Sequence, residues 1–211
     1  MELLSMPTTL LTPIPRIGNV IPINELTLFT GLPGSGKSYT LLKFLNVHKV
    51  KPILFNLDSD FALQQFDTYQ FSDEYLPSVI NQQVVDLKDQ VIVIDTYIRL
   101  MDVMGMCENT TAQQQCIATM LEELAKKQQC TIIVVGHPED YVGRSSIFKD
   151  NPYLVRNAAE HIHIDKVVST KKNSSPEYRF YVNKGRGIGG TTIMDNFMRD
   201  SVINPLTNKT V

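Results

Sequence analysis

Apolar and polar positions along this chain switch repeatedly between short continuous runs and helical spacing. Glu25–Thr30 (ELTLFT) alternates and then meets a glycine-rich stretch, after which Leu41, Leu42, Phe44 and Leu45 recur as on one helix face. The pattern predicts strand, turn and helix. Pro52–Leu57 (PILFNL), Val91–Ile94 (VIVI) and Thr131–Val135 (TIIVV) are short apolar runs, as expected of strands covered on both faces. Thr110–Gln129 places Ile117, Met120, Leu121 and Leu124 at helical spacing, and Phe61–Phe66 begins another helix. Pro138–Asn157 lacks an apolar period and reads as a long loop. Ala158–Asp165 and Tyr178–Asn183 read as strands, Lys184–Gly190 (KGRGIGG) as a turn and Thr191–Phe197 as a returning hairpin partner.

Strands alternating with helices imply an α/β fold, with a mostly parallel central sheet, flanking helices and a C-terminal hairpin. Four prolines between Met1 and Pro22, with no helical period, make the opening an extended arm. The expected organisation is therefore an arm over residues 1–17 and one domain over residues 18–211.

Composition narrows the class. Of 211 residues, 43% are hydrophobic and 20% charged, which fits a globular protein and excludes disordered, collagen-like and disulfide-scaffold classes. No apolar run approaches the ~20 residues that span a bilayer. The first residues lack the basic, apolar and small-residue order of a secretory signal. Cys107, Cys116 and Cys130 are odd in number and show no C-x-x-C spacing, which fits a reducing compartment, so a cytoplasmic location is expected. The net charge of −2 hides an asymmetry. Lys51–Gly136 carries five Lys/Arg against twelve Asp/Glu, whereas His137–Arg186 carries nine against six. A polyanion would dock on the later segment.

The sharpest chemical signal is Gly31-Leu32-Pro33-Gly34-Ser35-Gly36-Lys37-Ser38, which fits G-x-x-x-x-G-K-[ST] at every position. Glycines let the backbone turn its N–H groups inward, and the following helix adds its positive end. The nucleotide-binding set is Gly31, Pro33, Gly34, Ser35, Gly36, Lys37, Ser38 and Tyr39. Lys37 is expected to reach the β- and γ-phosphates, and Ser38 to ligate Mg²⁺. Asp95, closing VIVID, supplies the second acidic site for Mg²⁺. ATP and Mg²⁺ are thus the expected cofactors.

Hydrolysis needs a group that activates water. Asp58 is the first choice and Asp60 the second, since both follow a parallel strand where carboxyl ends gather around a ligand. His137, at the end of the third apolar run, is a candidate γ-phosphate sensor. His161 and His163 alternate and so share a strand face, but no further ligands accompany them and no metal is assigned.

In these parts the chain resembles the RecA-like ATPases, and most closely the motor domain of the DnaB-type replicative ring helicases. The resemblance runs from about Gly18 to Phe197 through GLPGSGKS, ILFNLD, VIVIDTYIRLM, TIIVVGH and VNKGRGIGG. It implies a RecA-like P-loop fold and a homo-hexamer whose K-x-R turn reaches the γ-phosphate on an adjacent subunit. Lys184 and Arg186 would be those trans-acting residues, with Arg186 the arginine finger. Two positions depart from the family. Its catalytic glutamate falls on Asp58, one methylene shorter, and Gly136-His137 stands where those helicases carry glutamine. The compact form is more similar to a phage, plasmid or viral protein than to a cellular replicative helicase.

The resemblance also implies two loops facing single-stranded nucleic acid, DNA ahead of RNA. By position these are Asp102–Thr111 and Pro138–Asn157, the latter carrying Arg144, Lys149 and Arg156 among Tyr141, Phe148 and Tyr153. The expected function is an ATP-driven helicase or translocase. A recombinase or packaging NTPase shares every catalytic residue, and a small P-loop kinase or ATP-gated regulatory module is the alternative from another class.

Overall fold

A computed structural model of the chain describes residues 15–82, 86–137, 140–142, 145–147, 151–167, 177–185, 203–204 and 209–210. The strands are β1 (Arg16–Ile17), β2 (Ile21–Pro22), β3 (Leu26–Gly31), β4 (Ile53–Asn56), β5 (Tyr69–Gln70), β6 (Val91–Asp95) and β7 (Thr131–Gly136). They continue with β8 (Asp140–Val142), β9 (Ser145–Ile147), β10 (Glu160–Val167) and β11 (Glu177–Gly185). The helices are α1 (Lys37–Val47), α2 (Leu76–Ile80), α3 (Tyr97–Val103), α4 (Thr111–Gln128) and α5 (Pro152–Asn157).

The central sheet has seven strands in the order β11-β10-β3-β7-β6-β4-β5. All neighbours are parallel except β10 and β11. This is an α/β fold with a mostly parallel sheet and flanking helices, as the alternating elements predict.

Each apolar strand serves two cores because successive side chains face opposite ways. Ile92, Ile94, Ile132, Val134, Leu26 and Leu28 join one core, with Ile117, Leu121 and Leu124 of α4. Val91, Val93, Ile133, Val135 and Phe29 join the other, with Leu41, Leu42, Phe44 and Leu45 of α1. Continuous apolar runs follow directly from this double burial.

β1 and β2 pair as a small hairpin whose Ile17, Val20 and Ile21 enter the α1 core. Arg16 at its start forms an ion pair with the fully buried Glu160 of β10 and donates to the Val20 carbonyl at 2.8 Å. Residues 16 and 17, assigned by sequence to the arm, are thus held on the domain. Burial pushes the Glu160 carboxyl above its usual range, and Arg16 opposes that shift.

Three sequence expectations are corrected. Phe61–Gln65 is a 3-10 turn rather than an α-helix, started by Asp60. Within the expected loop Pro138–Asn157, Asp140–Val142 and Ser145–Ile147 pair as β8 and β9, and Pro152–Asn157 forms α5. Asn151 caps α5 and Pro152 supplies its first turn, a signal of helix onset that the missing apolar period obscured. Finally, Tyr178–Asn183 lies within β11, which pairs with the preceding strand β10. The expected partner Thr191–Phe197 lies outside the described residues, and the strand continues through Lys184 and Gly185, where a turn was expected.

A buried polar knot ties α3, α4 and α5 together. Asn151 donates to the Tyr97 hydroxyl at 3.0 Å and the Gln114 carbonyl at 2.9 Å, and accepts from Leu154 N–H at 2.9 Å. Tyr97 in turn donates to Asn109 at 3.2 Å. Asn151→Ala leaves two buried groups short of a partner and a helix uncapped, so we expect a loss of ~2–4 kcal/mol. A denaturant-unfolding curve beside wild type checks this.

Candidate phosphate and metal site

The site lies where the parallel strands end. Register aligns Thr30 with Gly136, Val135 with Asp95 and Asp95 with Asn56. Everything just beyond these residues therefore converges on one edge: the glycine-rich loop after β3, Asp58 after β4 and His137 after β7. Connections from β3 and its neighbour β7 depart toward opposite sides of the sheet, which opens the crevice in which such folds take ligands.

The loop conformation follows from its glycines. Gly34 and Gly36 have φ of 73° and 72°, the left-handed region that side chains avoid. A Cβ on Gly31 would come within 2.6 Å of Ile164 and 2.7 Å of the Ser35 hydroxyl. The turn closes through Ser35 N–H to the Leu32 carbonyl at 3.0 Å. Gly36 caps α1 without a side chain, so no side-chain acceptor occupies the first N–H groups of the helix. Ser35 Oγ is buried and has no hydrogen-bond partner, an orphan facing this same loop.

Lys37 opens α1 and is only 6% exposed. Its Nζ lies 2.8 Å from His137 Nδ1, so the ammonium donates and the imidazole accepts in its neutral form. Burial lowers the Lys37 pKa, against the pull of Asp95 and Asp58. Burial and the Lys37 charge likewise lower that of His137. His137, read from sequence as a γ-phosphate sensor, is here the direct partner of Lys37.

The Ser38 hydroxyl is near enough to the Asp95 carboxylate to favour its ionised form, which brings together the two residues expected to hold Mg²⁺. Asp95 is buried, and its pKa is pushed up to about 6. Burial is the main cause, Asp58 and Asp60 add to it, and Ser38 and Lys37 oppose it. A desolvated carboxylate that resists ionising is one that gains from a nearby cation. Among the described residues, no cluster of three or more His, Cys, Asp or Glu could hold an ion by itself. Mg²⁺ needs no such cage, because it commonly takes one or two protein ligands and completes its shell with phosphate and water. The orphan Ser35 hydroxyl, the uncapped helix start and the Ser38–Asp95 pair all fit a Mg²⁺–phosphate group.

The two candidate bases differ. Asp60 accepts from Ala62 N–H at 2.9 Å through Oδ1 and so caps the 3-10 turn. Asp58 is exposed at the crevice, with Arg99 Nε 3.8 Å from its Oδ1. Arg99 also contacts Asp102 at 3.2 Å. Sequence reading missed Arg99, although its place four residues after Asp95, on the helix that follows, put it on this edge. Tyr39, in the first turn of α1, packs edge-to-face on Phe66, with centroids 5.0 Å apart.

His161 and His163 serve the strand beneath the loop. His161 Nε2 lies 2.9 Å and His163 Nδ1 3.1 Å from the Thr30 hydroxyl, all three buried. A hydroxyl has one proton, so at least one imidazole donates its ring N–H to Oγ1.

Lys184 pairs across β10 with His161, while Gly31 lies beside Ile164. Lys184 backbone thus sits three residues, roughly 10 Å, below the level of the loop and two strands, roughly 10 Å, to its side. Arg186, Arg144 and Lys149 lie outside the described residues. Arg156 is exposed on α5, its guanidinium 5.6 Å from the Tyr153 ring centroid. The first expected nucleic-acid loop, Asp102–Thr111, shrinks to residues 104–110, because α3 runs to Val103 and α4 starts at Thr111. No helix among the described residues is long and apolar enough to cross a membrane. No protein-family model matches the chain, and no curated protein matches it.

Proposed function

We propose that the chain is a RecA-like P-loop ATPase that hydrolyses ATP with Mg²⁺ at subunit interfaces and so moves on single-stranded nucleic acid. The observation that carries this reading is one group, buried Lys37 with Ser38 and Asp95 close beside it, under a loop with an orphaned Ser35 hydroxyl.

The loop N–H groups and Lys37 bind the β- and γ-phosphates of ATP, with phosphate oxygens replacing His137 as partners of the ammonium. His137 is then free to hydrogen-bond the γ-phosphate end. Ser38 and Asp95 hold Mg²⁺, which when bound neutralises charge on the β- and γ-phosphates. Asp58 orients the attacking water and takes its proton, while the γ-phosphoryl group leaves ADP. Arg186 of an adjacent subunit stabilises the transferring group. A trans role for the K-x-R turn is supported by the backbone register, which sets Lys184 well below the level of its own loop.

Steady-state ATP hydrolysis with and without single-stranded oligonucleotides tests the proposal, with Lys37→Ala as blank. Stimulation by single strands, lost in Arg186→Ala, is the expected result. Hydrolysis indifferent to nucleic acid, and unchanged in Arg186→Ala, overturns the motor reading in favour of a kinase or regulatory ATPase.

A further inference from the structure

The chain that leaves β4 closes on itself around Asp58. Asn56, the last residue of β4, lies in register with Asp95, and Leu57 N–H donates to the Asp95 carbonyl at 2.7 Å. The root of the turn is therefore fixed to the strand that carries the metal carboxylate. Ser59 N–H then donates back to the Asn56 carbonyl at 3.0 Å. The Asn56 side chain grips the Asp60 backbone at both of its polar groups. Its Oδ1 accepts from Asp60 N–H at 3.0 Å, and its Nδ2 donates to the Asp60 carbonyl at 3.0 Å. Ser59 has φ of 55°, a left-handed conformation that a serine adopts at some cost and that this clamp maintains.

These bonds are all made by neighbours of Asp58, which leaves its carboxylate to the crevice. The Asp58 charge acts on Lys37, Asp95 and His137, so the carboxylate faces the candidate site. Arg99 does little to fix it there. The Arg99 Nε lies 3.8 Å from Asp58 Oδ1, the two side chains are 56% and 44% exposed, and the guanidinium is shared with Asp102. An exposed pair of this kind restrains its partners weakly. Aspartate also has only two side-chain torsions, so the backbone of the turn decides where its carboxylate stands. Asn56 is the side chain that sets that backbone.

We propose that Asn56 is a positioning residue for water activation, its two bonds to Asp60 holding the turn so that the Asp58 carboxylate stands at the γ-phosphate end of the site. The inference rests on the ATPase reading and deepens it by naming what places the base. A base must lie within hydrogen-bond reach of its water, and a shift of about 1 Å can cost ~10²-fold in rate.

Steady-state ATP hydrolysis, with the affinity for a non-hydrolysable analogue measured beside it, tests this on the full chain. Asn56→Leu keeps the branched shape and makes neither bond, Asn56→Ala removes the side chain, and urea unfolding curves check that each variant is folded. We expect kcat to fall roughly 10–10²-fold in both, with KM for ATP and analogue affinity within about twofold of wild type. A cycle with Asp58→Ala separates positioning from a merely structural role. If Asn56 acts through Asp58, adding Asn56→Ala to Asp58→Ala costs no further activity. Unchanged kcat in both Asn56 variants, a loss confined to KM and analogue affinity, or a further loss in the double variant overturns the inference and leaves Asn56 a residue of the turn alone. Asp58→Ala at the wild-type rate overturns it as well, by removing the base that Asn56 would place. A wild type no faster than Lys37→Ala instead rejects the ATPase reading, and this inference falls with it.

Discussion

Lys37→Ala is expected to lower ATP hydrolysis by ~10²–10³-fold, the cost of removing one preorganised charge from a developing phosphoryl anion. Three features make the effect large. Lys37 is the cation placed directly on the loop, it is nearly buried, and α1 fixes its stem at the first helical position. His137 accepts from the ammonium and holds it at the loop. Steady-state rates at saturating ATP measure the loss. Lys37→Arg should recover only part of it, because the longer planar guanidinium does not fit a point-charge position. A Lys37→Ala protein with wild-type rates would remove the loop from the chemistry.

Asp95→Asn should stabilise the ligand-free protein while removing its response to Mg²⁺ and nucleotide. The Asp95 carboxyl titrates at about 6 in the folded chain, above its ordinary 3.8, so the native state binds the extra proton between those values. Stability then falls as pH rises from about 4 to about 6 and stays level above, a loss of up to ~3 kcal/mol. Asparagine cannot ionise, so the variant should lose that slope and gain a similar amount above pH 6. Urea unfolding at pH 4.5 and pH 7.5, for both proteins, resolves the difference. Wild type should regain the lost stability when Mg²⁺ and ATP are added, increasingly so as pH rises through 6, and the variant should not. A wild type whose stability rises between pH 4.5 and pH 7.5 would contradict the buried, cation-seeking state of Asp95.

How far the sequence carried this picture depended on how local each signal was. The loop, its strand and α1 were legible because glycine spacing and helical period act over a few residues. Val91–Asp95 and Thr131–Gly136 were legible because burial on both faces writes an unbroken apolar run. Asp60 was ambiguous, since a strand-to-helix aspartate serves equally as base or cap, and its capping bond to Ala62 could not be read from the sequence. The Lys37–His137 contact and the Thr30–histidine group could not be read, because each joins residues a hundred or more positions apart. The pairing of Tyr178–Asn183 with β10 escaped for a related reason: an alternating strand does not name its neighbour, and only the sheet does. Helix α5 escaped because six residues carry too little periodicity, although its cap and proline were present.

The place of β3 within the sheet has a consequence for how the chain is made. Its two neighbours are β7 and β10, and Thr30 waits 131 residues for His161. During synthesis the glycine-rich loop emerges on a strand with both edges bare, and the strands that flank it, β7 and β10, follow about a hundred residues or more later. Long-range parallel pairing of this kind is slow. The nascent protein therefore passes through a period in which an apolar strand stands open to pairing with other chains. A fragment ending before residue 131 would carry the whole G-x-x-x-x-G-K-S motif and Asp95 and still have no site.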